Sequence, residues 1–220
     1  MEIIKHLIEF ILHIDKHLGD IISQYNSTTY FILFAIIFAE TGFVVTPFLP
    51  GDSLLFAAGA IIASNPNTGM NIYLLALLLI VAAFLGNTVN YMLGNYLGPK
   101  VFKPENKILK LDYYIQTKEF FDKHGGKAVI FSRYVPIIRT VAPFVAGVGH
   151  MPFARYSLYN VIGGVTWIFI FLFCGFWFGK VPFIEKNFSL VAIIIILVSV
   201  IPPVFAIVKS KMTKKSQPTQ

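Results

Sequence analysis

Charge is scarce in this 220-residue chain: Lys, Arg, Asp and Glu together make up 13% of it, against 56% apolar and aromatic residues. A soluble domain carries about a quarter charged residues. The deficit is also concentrated. No Asp, Glu, Lys or Arg occurs from Ser53 to Pro99, from Tyr156 to Gly179 or from Asn187 to Val208. A spanning helix needs about 20 predominantly apolar residues, so each run is long enough to cross a bilayer once. A buried soluble core needs no uncharged runs of this length. The absences exclude a soluble globular chain and predict an all-α polytopic membrane protein.

Cysteine is nearly missing too. A single Cys174 excludes a disulfide framework and a thiolate metal cluster, and it reads as inert packing inside a span. The five histidines show no paired ligand spacing, so neither a metal nor a cofactor is expected. A P-loop, a dinucleotide fingerprint and a nucleophile elbow are all lacking. No residue is therefore nominated as catalytic, and the chain is not expected to be an enzyme. Glu2, Glu9, Asp15 and Asp20 interrupt the first apolar stretch, which is not the pattern of a cleavable signal peptide. The net charge of +7 sits beside membrane segments, where Lys and Arg set orientation, and so argues against a nucleic-acid partner.

What is present divides into a single membrane domain. Residues 1–28 alternate polar Glu2, Lys5, Glu9 and Lys16 with apolar Ile4, Leu7, Ile8 and Ile11 at helical spacing, the pattern of an amphipathic interfacial helix. Residues 29–64 are too long for one crossing and too short for two. Pro47, Pro50 and Gly51 interrupt them where no helix continues, which predicts a re-entrant hairpin with its tip there. Non-helical backbone at membrane depth survives only inside protein or along a watered cavity. A spanning helix is predicted over 71–98 and a basic amphipathic helix over 111–126. A second re-entrant hairpin follows over 128–150, broken at Pro136 and Pro143. Spanning helices over 156–179 and 188–208 precede a basic tail over 209–220. The lysine-rich 100–127 region and tail are placed in the cytoplasm by the positive-inside rule, and the uncharged Asn65–Gly69 turn outside.

The order amphipathic helix, hairpin, spanning helix then occurs twice with opposite orientation, followed by the C-terminal span. The first span ends on Gly94 and Gly98 and the second on Gly175 and Gly179. Inverted repeats with broken helices meeting near the midplane are a recurring transporter plan.

Four charges fall where charge is costly: Glu40 and Asp52 in the first hairpin, Arg133 and Arg139 in the second. Unpaired at the bilayer centre they would cost roughly 10 kcal/mol even on a lenient insertion scale. The signs are segregated by hairpin, so the two hairpins are expected to meet. Arginine offers a planar donor fork suited to phosphate, which nominates Arg133 and Arg139 for an anionic headgroup. Glu40 and Asp52 are nominated for proton exchange as their partners come and go. A static ion-pair network pinning two hairpins together fits the same four residues. Asn87, Asn90 and Tyr91 on one face of the first span, with Asn160 near the start of the second, either line a polar path or bridge helices.

Several stretches resemble the DedA family, related to the SNARE-associated Golgi-type membrane proteins, and the bacterial DedA branch in particular. They are Phe38–Asp52, Gly86–Gly94, Phe121–Lys127, the Arg133–Arg139 block, Pro143–Gly147 and Asn160–Gly163. The resemblance runs over nearly the whole chain. It implies a transporter of the bacterial cytoplasmic membrane that moves phospholipid-type substrates between leaflets, including undecaprenyl phosphate, with dependence on the proton-motive force. By motif the family's functional acids and arginines fall on Glu40, Asp52, Arg133 and Arg139. The chain departs from the pattern at Asn87, where many members carry an acid, and so lacks one proton carrier. A polyprenyl-phosphate flippase is the leading expectation. A broader phospholipid scramblase accepting phosphatidylethanolamine, a proton-coupled carrier of small solutes or cations, and a non-transport scaffold stay open, as does a homo-oligomer.

Overall fold

A computed structural model describes residues 28–42, 51–65, 68–98, 111–179 and 181. The expected helix over 1–28, the tip residues Pro47 and Pro50, the span over 188–208 and the tail over 209–220 lie outside the described residues. Every regular element among the described residues is helical. In order the α-helices are α1 (Thr28–Gly42), α2 (Gly51–Ser64), α3 (Ile72–Leu97), α4 (Leu111–His124), α5 (Ala128–Ser132), α6 (Pro136–Val148), α7 (Phe153–Ile168) and α8 (Cys174–Phe178), with a short 3-10 turn, Gly125–Lys127, between α4 and α5. A widened π turn, Phe169–Phe173, joins α7 to α8.

Local chemistry sets the ends of α3. Asn71 caps its start, the side-chain oxygen accepting from the Tyr73 and Leu74 amides at 2.9 and 3.2 Å, which satisfies donors the first turn leaves free. Gly98 ends it at φ 67°, ψ −169°, a conformation nearly confined to glycine. The 26 residues between make a rod of about 39 Å, longer than the hydrocarbon core. Phe153–Phe178 forms a second continuous rod of 26 residues. It starts after Pro152 and carries exposed Arg155 in its first turn.

Both rods present apolar side chains outward: Tyr73, Leu77, Val81, Leu85 and Met92 on α3, and Leu158, Val161, Val165 and Phe169 on the second. Spaced three to seven apart, they form a helical stripe that water would penalise and lipid accepts. The opposite faces meet the interior. Leu33 and Ile37 of α1, Leu55 of α2, Leu75 and Leu79 of α3 and Ile168 of α7 form one core. Val141, Phe144 and Val145 of α6 receive Leu111, Tyr114 and Phe121 of α4 in another.

Two helix crossings have the same construction. Where α6 crosses the end of α3, a Cβ on Gly94 would lie 2.1 Å from the Phe144 carbonyl, and one on Gly147 2.1 Å from the Tyr91 carbonyl. Where α2 crosses the end of the second rod, a Cβ on Gly175 would lie 2.1 Å from the Phe56 carbonyl, and one on Gly59 2.0 Å from the Leu172 carbonyl. Backbone touches backbone at four glycines, an approach no larger residue permits.

Pro143 corrects one expectation. It does not break the chain but lies inside α6; the interruption falls at Arg133–Val135, and Pro136 opens the next helix. Proline suits a first helical turn because its missing N–H is unpaired there anyway. At Pro143 the same lack removes one helical bond, to the Arg139 carbonyl, without ending a helix held on both sides by its neighbours.

The crossings give a direct test. Gly94→Val should lose roughly 3 kcal/mol by overpacking, whereas Gly98→Ala, with open space around it, should lose only about 1 kcal/mol of backbone strain. Thermal unfolding of purified protein in detergent, followed by monodispersity, distinguishes the two.

Candidate functional site

Five helices and one turn deliver polar side chains to one buried point. The last turn of α1 supplies Glu40 and Thr41, and the first turn of α2 supplies Asp52. The turn after α5 carries Arg133, and Pro136 starts α6 so that Arg139 follows within its first turn. On α7, Asn160, Gly163, Gly164 and Trp167 share one inward face by their spacing, and all four are buried. Asn87 comes from α3.

Arg139 is the centre. Its Nη1 donates to Asp52 Oδ1 at 2.9 Å, and its Nη2 donates to Glu40 Oε1. Asp52 Oδ1 also accepts from the Trp167 indole Nε1 at 2.8 Å. Glu40 is 2% exposed, and among the described residues its second oxygen, Oε2, has no hydrogen-bond partner. This carboxylate lies so close to the start of α2 that a Cβ on Gly51 would come 1.9 Å from Oε2. Gly51 is thus required by the acid beside it.

Arg133, 5% exposed, is treated differently. Its Nη2 donates to Asn160 Oδ1 at 2.6 Å, and its Nε has no partner. Among the described residues it makes no salt bridge. Its side chain lies along Gly163, where a Cβ would meet Cδ and Nε at 3.0 Å. The Trp167 ring is within reach of both cations, with its centroid 5.9 Å from Arg133 Cζ and 5.8 Å from Arg139 Cζ, a favourable placement for a desolvated guanidinium. Asn87 completes the group. With its amide oxygen toward Arg133 Nη2 at 2.9 Å, its nitrogen donates to the Thr41 carbonyl at 3.2 Å. Turned over, the nitrogen donates to Asn160 Oδ1 at 3.0 Å.

These side chains enclose a cavity of about 20 Å³ lined by Glu40, Thr41, Asn87, Arg133, Arg139, Thr140 and Trp167. That is room for about one water molecule, not for a phosphate.

The structure therefore brings together Glu40, Asp52, Arg133, Arg139, Asn87 and Asn160. Asn90 and Tyr91 do not line the cavity. Asn90 Nδ2 donates to the Thr140 carbonyl at 2.8 Å, and the Tyr91 hydroxyl donates to the Met151 carbonyl, with its ring stacked on Tyr156. Both bridge helices. Trp167, Thr41 and the Gly163–Gly164 pair went unnominated by the sequence. The available signal was the spacing of Asn160, Gly163, Gly164 and Trp167 along one helical face. Among the described residues no group of three or more His, Cys, Asp and Glu side chains is placed to hold a metal.

Apolar rods facing outward around a buried cluster of opposite charges define a helical membrane protein with a polar centre. Residues 49–176 match the VTT domain, and the chain belongs to the DedA family. It is 47% identical to Protein DedA of Escherichia coli (strain K12) over 212 residues, 96% of either chain. An uncharacterized membrane protein of Mycobacterium tuberculosis (strain H37Rv) is 35% identical over 184 residues, 83% of this chain and 80% of that one. Inner membrane protein YqjA of Escherichia coli (strain K12) is 34% identical over 182 residues, 82% of this chain and 81% of that one. No solved structure matches the chain.

The contact between Gly51 and Glu40 can be tested by stability. Gly51→Ala should cost about 1–3 kcal/mol by displacing the carboxylate. On a Glu40→Ala background the same change should cost almost nothing. Denaturation of the four proteins in detergent checks the pair.

Proposed function

We propose that the protein is a carrier, not an enzyme, that moves undecaprenyl phosphate between the leaflets of the bacterial cytoplasmic membrane. Arg133 and Arg139 hold the phosphate, and the prenyl tail stays in lipid. Only the headgroup needs a lined path. The observation that carries this reading is the unequal pairing of two buried arginines. Arg139 holds two carboxylates from two different helices, while Arg133 meets neutral amides and an aromatic face. A phosphate engages guanidinium forks as strongly as a carboxylate does, so it competes for Arg139 and finds Arg133 already uncommitted. A carboxylate released from Arg139 takes up a proton, which links headgroup binding to the proton-motive force.

The two halves are read as inverted copies. The α1/α2 and α5/α6 pairs are hairpins that re-enter from opposite sides, and the C-terminal tail is cytoplasmic. The matched glycine crossings of α6 on α3 and of α2 on the second rod support this, because one contact pattern is used twice. Two such halves rocking against each other expose a central site alternately. The cavity, at about 20 Å³, fits an occluded state that must part before a headgroup enters.

Purified protein in liposomes with fluorescent polyprenyl phosphate tests the reading. Arg139→Ala should lower flipping at least about tenfold, the loss expected when one charge-assisted contact is removed. Arg139→Lys should lose most activity because a point charge does not replace a fork. If both variants flip lipid normally and are only less stable, the scaffold reading replaces this one. Equal movement of phosphatidylethanolamine by the wild type would favour the broader scramblase.

A further inference from the structure

The two carboxylates at Arg139 are not equivalent, and the difference lies in what each keeps when the arginine turns away. Asp52 sits in the first turn of α2, where the helix dipole favours an anion. Its Oδ1 accepts the Trp167 indole N–H at 2.8 Å, a bond that does not involve Arg139. Glu40 belongs to the last turn of α1, and its carboxylate rests beside Gly51 at the start of α2. Its Oε1 receives Arg139 Nη2, its Oε2 has no partner among the described residues, and its other support is the Gly51 backbone amide at the start of α2. The charged groups facing Glu40 are Arg139 from α6, Asp52 from α2 and Arg133 from the turn after α5. From α3 and α7 come neutral Asn87 and Trp167.

We propose that Trp167 is a positioning residue that holds Asp52 in place when Arg139 engages a phosphate, so that Glu40 alone takes up a proton. The proton enters from water on Oε2, the oxygen without a partner, and leaves when Arg139 returns. Each headgroup event then carries one proton, and Trp167 sets that number by supplying Asp52 with a donor of its own. The ring serves a second end: it approaches both guanidiniums and holds Arg133 while Arg139 changes partners. The inference rests on the transport reading for the reason Arg139 lets go, but its test needs no lipid.

Arg139→Gln stands in for the arginine's departure. Infrared spectra of that variant in detergent should show one unhydrated protonated carboxyl band. The band should vanish in Glu40→Gln/Arg139→Gln and persist in Asp52→Asn/Arg139→Gln. Adding Trp167→Phe to Arg139→Gln keeps an aromatic ring but removes the indole donor, and should add a second protonated carboxyl. A band that follows Asp52, or no second band with Trp167→Phe, overturns the proposal. If the doubly substituted proteins do not fold, wild-type protein labelled with ¹³C-glutamate or ¹³C-aspartate decides. The first unhydrated carboxyl to protonate on acidification should shift with the glutamate label, and a shift with aspartate overturns the assignment. Absence of lipid flipping with the Glu40 band intact would refute the transport reading alone.

Discussion

A guanidinium held between two carboxylates, inside a bundle whose outer surface is hydrocarbon-like, is the contact on which the rest of the structure depends. None of Glu40, Asp52 and Arg139 could remain charged alone at that depth at acceptable cost. Joined, they tie α1, α2 and α6 to one point. The surrounding design follows from making that junction possible. Gly51 leaves space for Glu40, Pro136 starts α6 so that Arg139 falls within reach, and Trp167 closes the open side of Asp52.

Arg133 extends the cluster without being consumed by it. Its charge is stabilised by an amide oxygen, a carbonyl and a π face, contacts that desolvate a cation less favourably than a carboxylate would. Among the described residues it has no carboxylate partner, whereas Arg139 has two. The glycine crossings matter for the same reason. Backbones in contact over carbonyls, with small side chains between, let helices shift by sliding rather than by unpacking large residues.

Much of this was legible in the sequence, and what was not has physical causes. The membrane character followed from uncharged runs, and α3 falls within the span expected over 71–98. Glu40, Asp52, Arg133 and Arg139 stood out because charge amid apolar residues must be explained. Counting uncharged residues misplaced the start of the second rod, since exposed Arg155 belongs to its first turn and the helix begins at Phe153. Pro143 misled because helix breaking by proline depends on tertiary support that sequence does not display. Trp167 was hidden by its own type: an aromatic residue in a span looks like packing, and only the fold puts its N–H on Asp52. The π turn beginning two residues later leaves no mark in composition at all.

The central claim is that Glu40 and Arg139 act as one electrostatic unit and not as two separately tolerated charges. A double-mutant cycle with Glu40→Gln and Arg139→Gln, read by denaturation in detergent micelles, measures this most directly. The account predicts that the single changes are each costly and the double change far less so than their sum, with a coupling of about 2 kcal/mol or more. Single effects that add to the double within about 0.5 kcal/mol would contradict it.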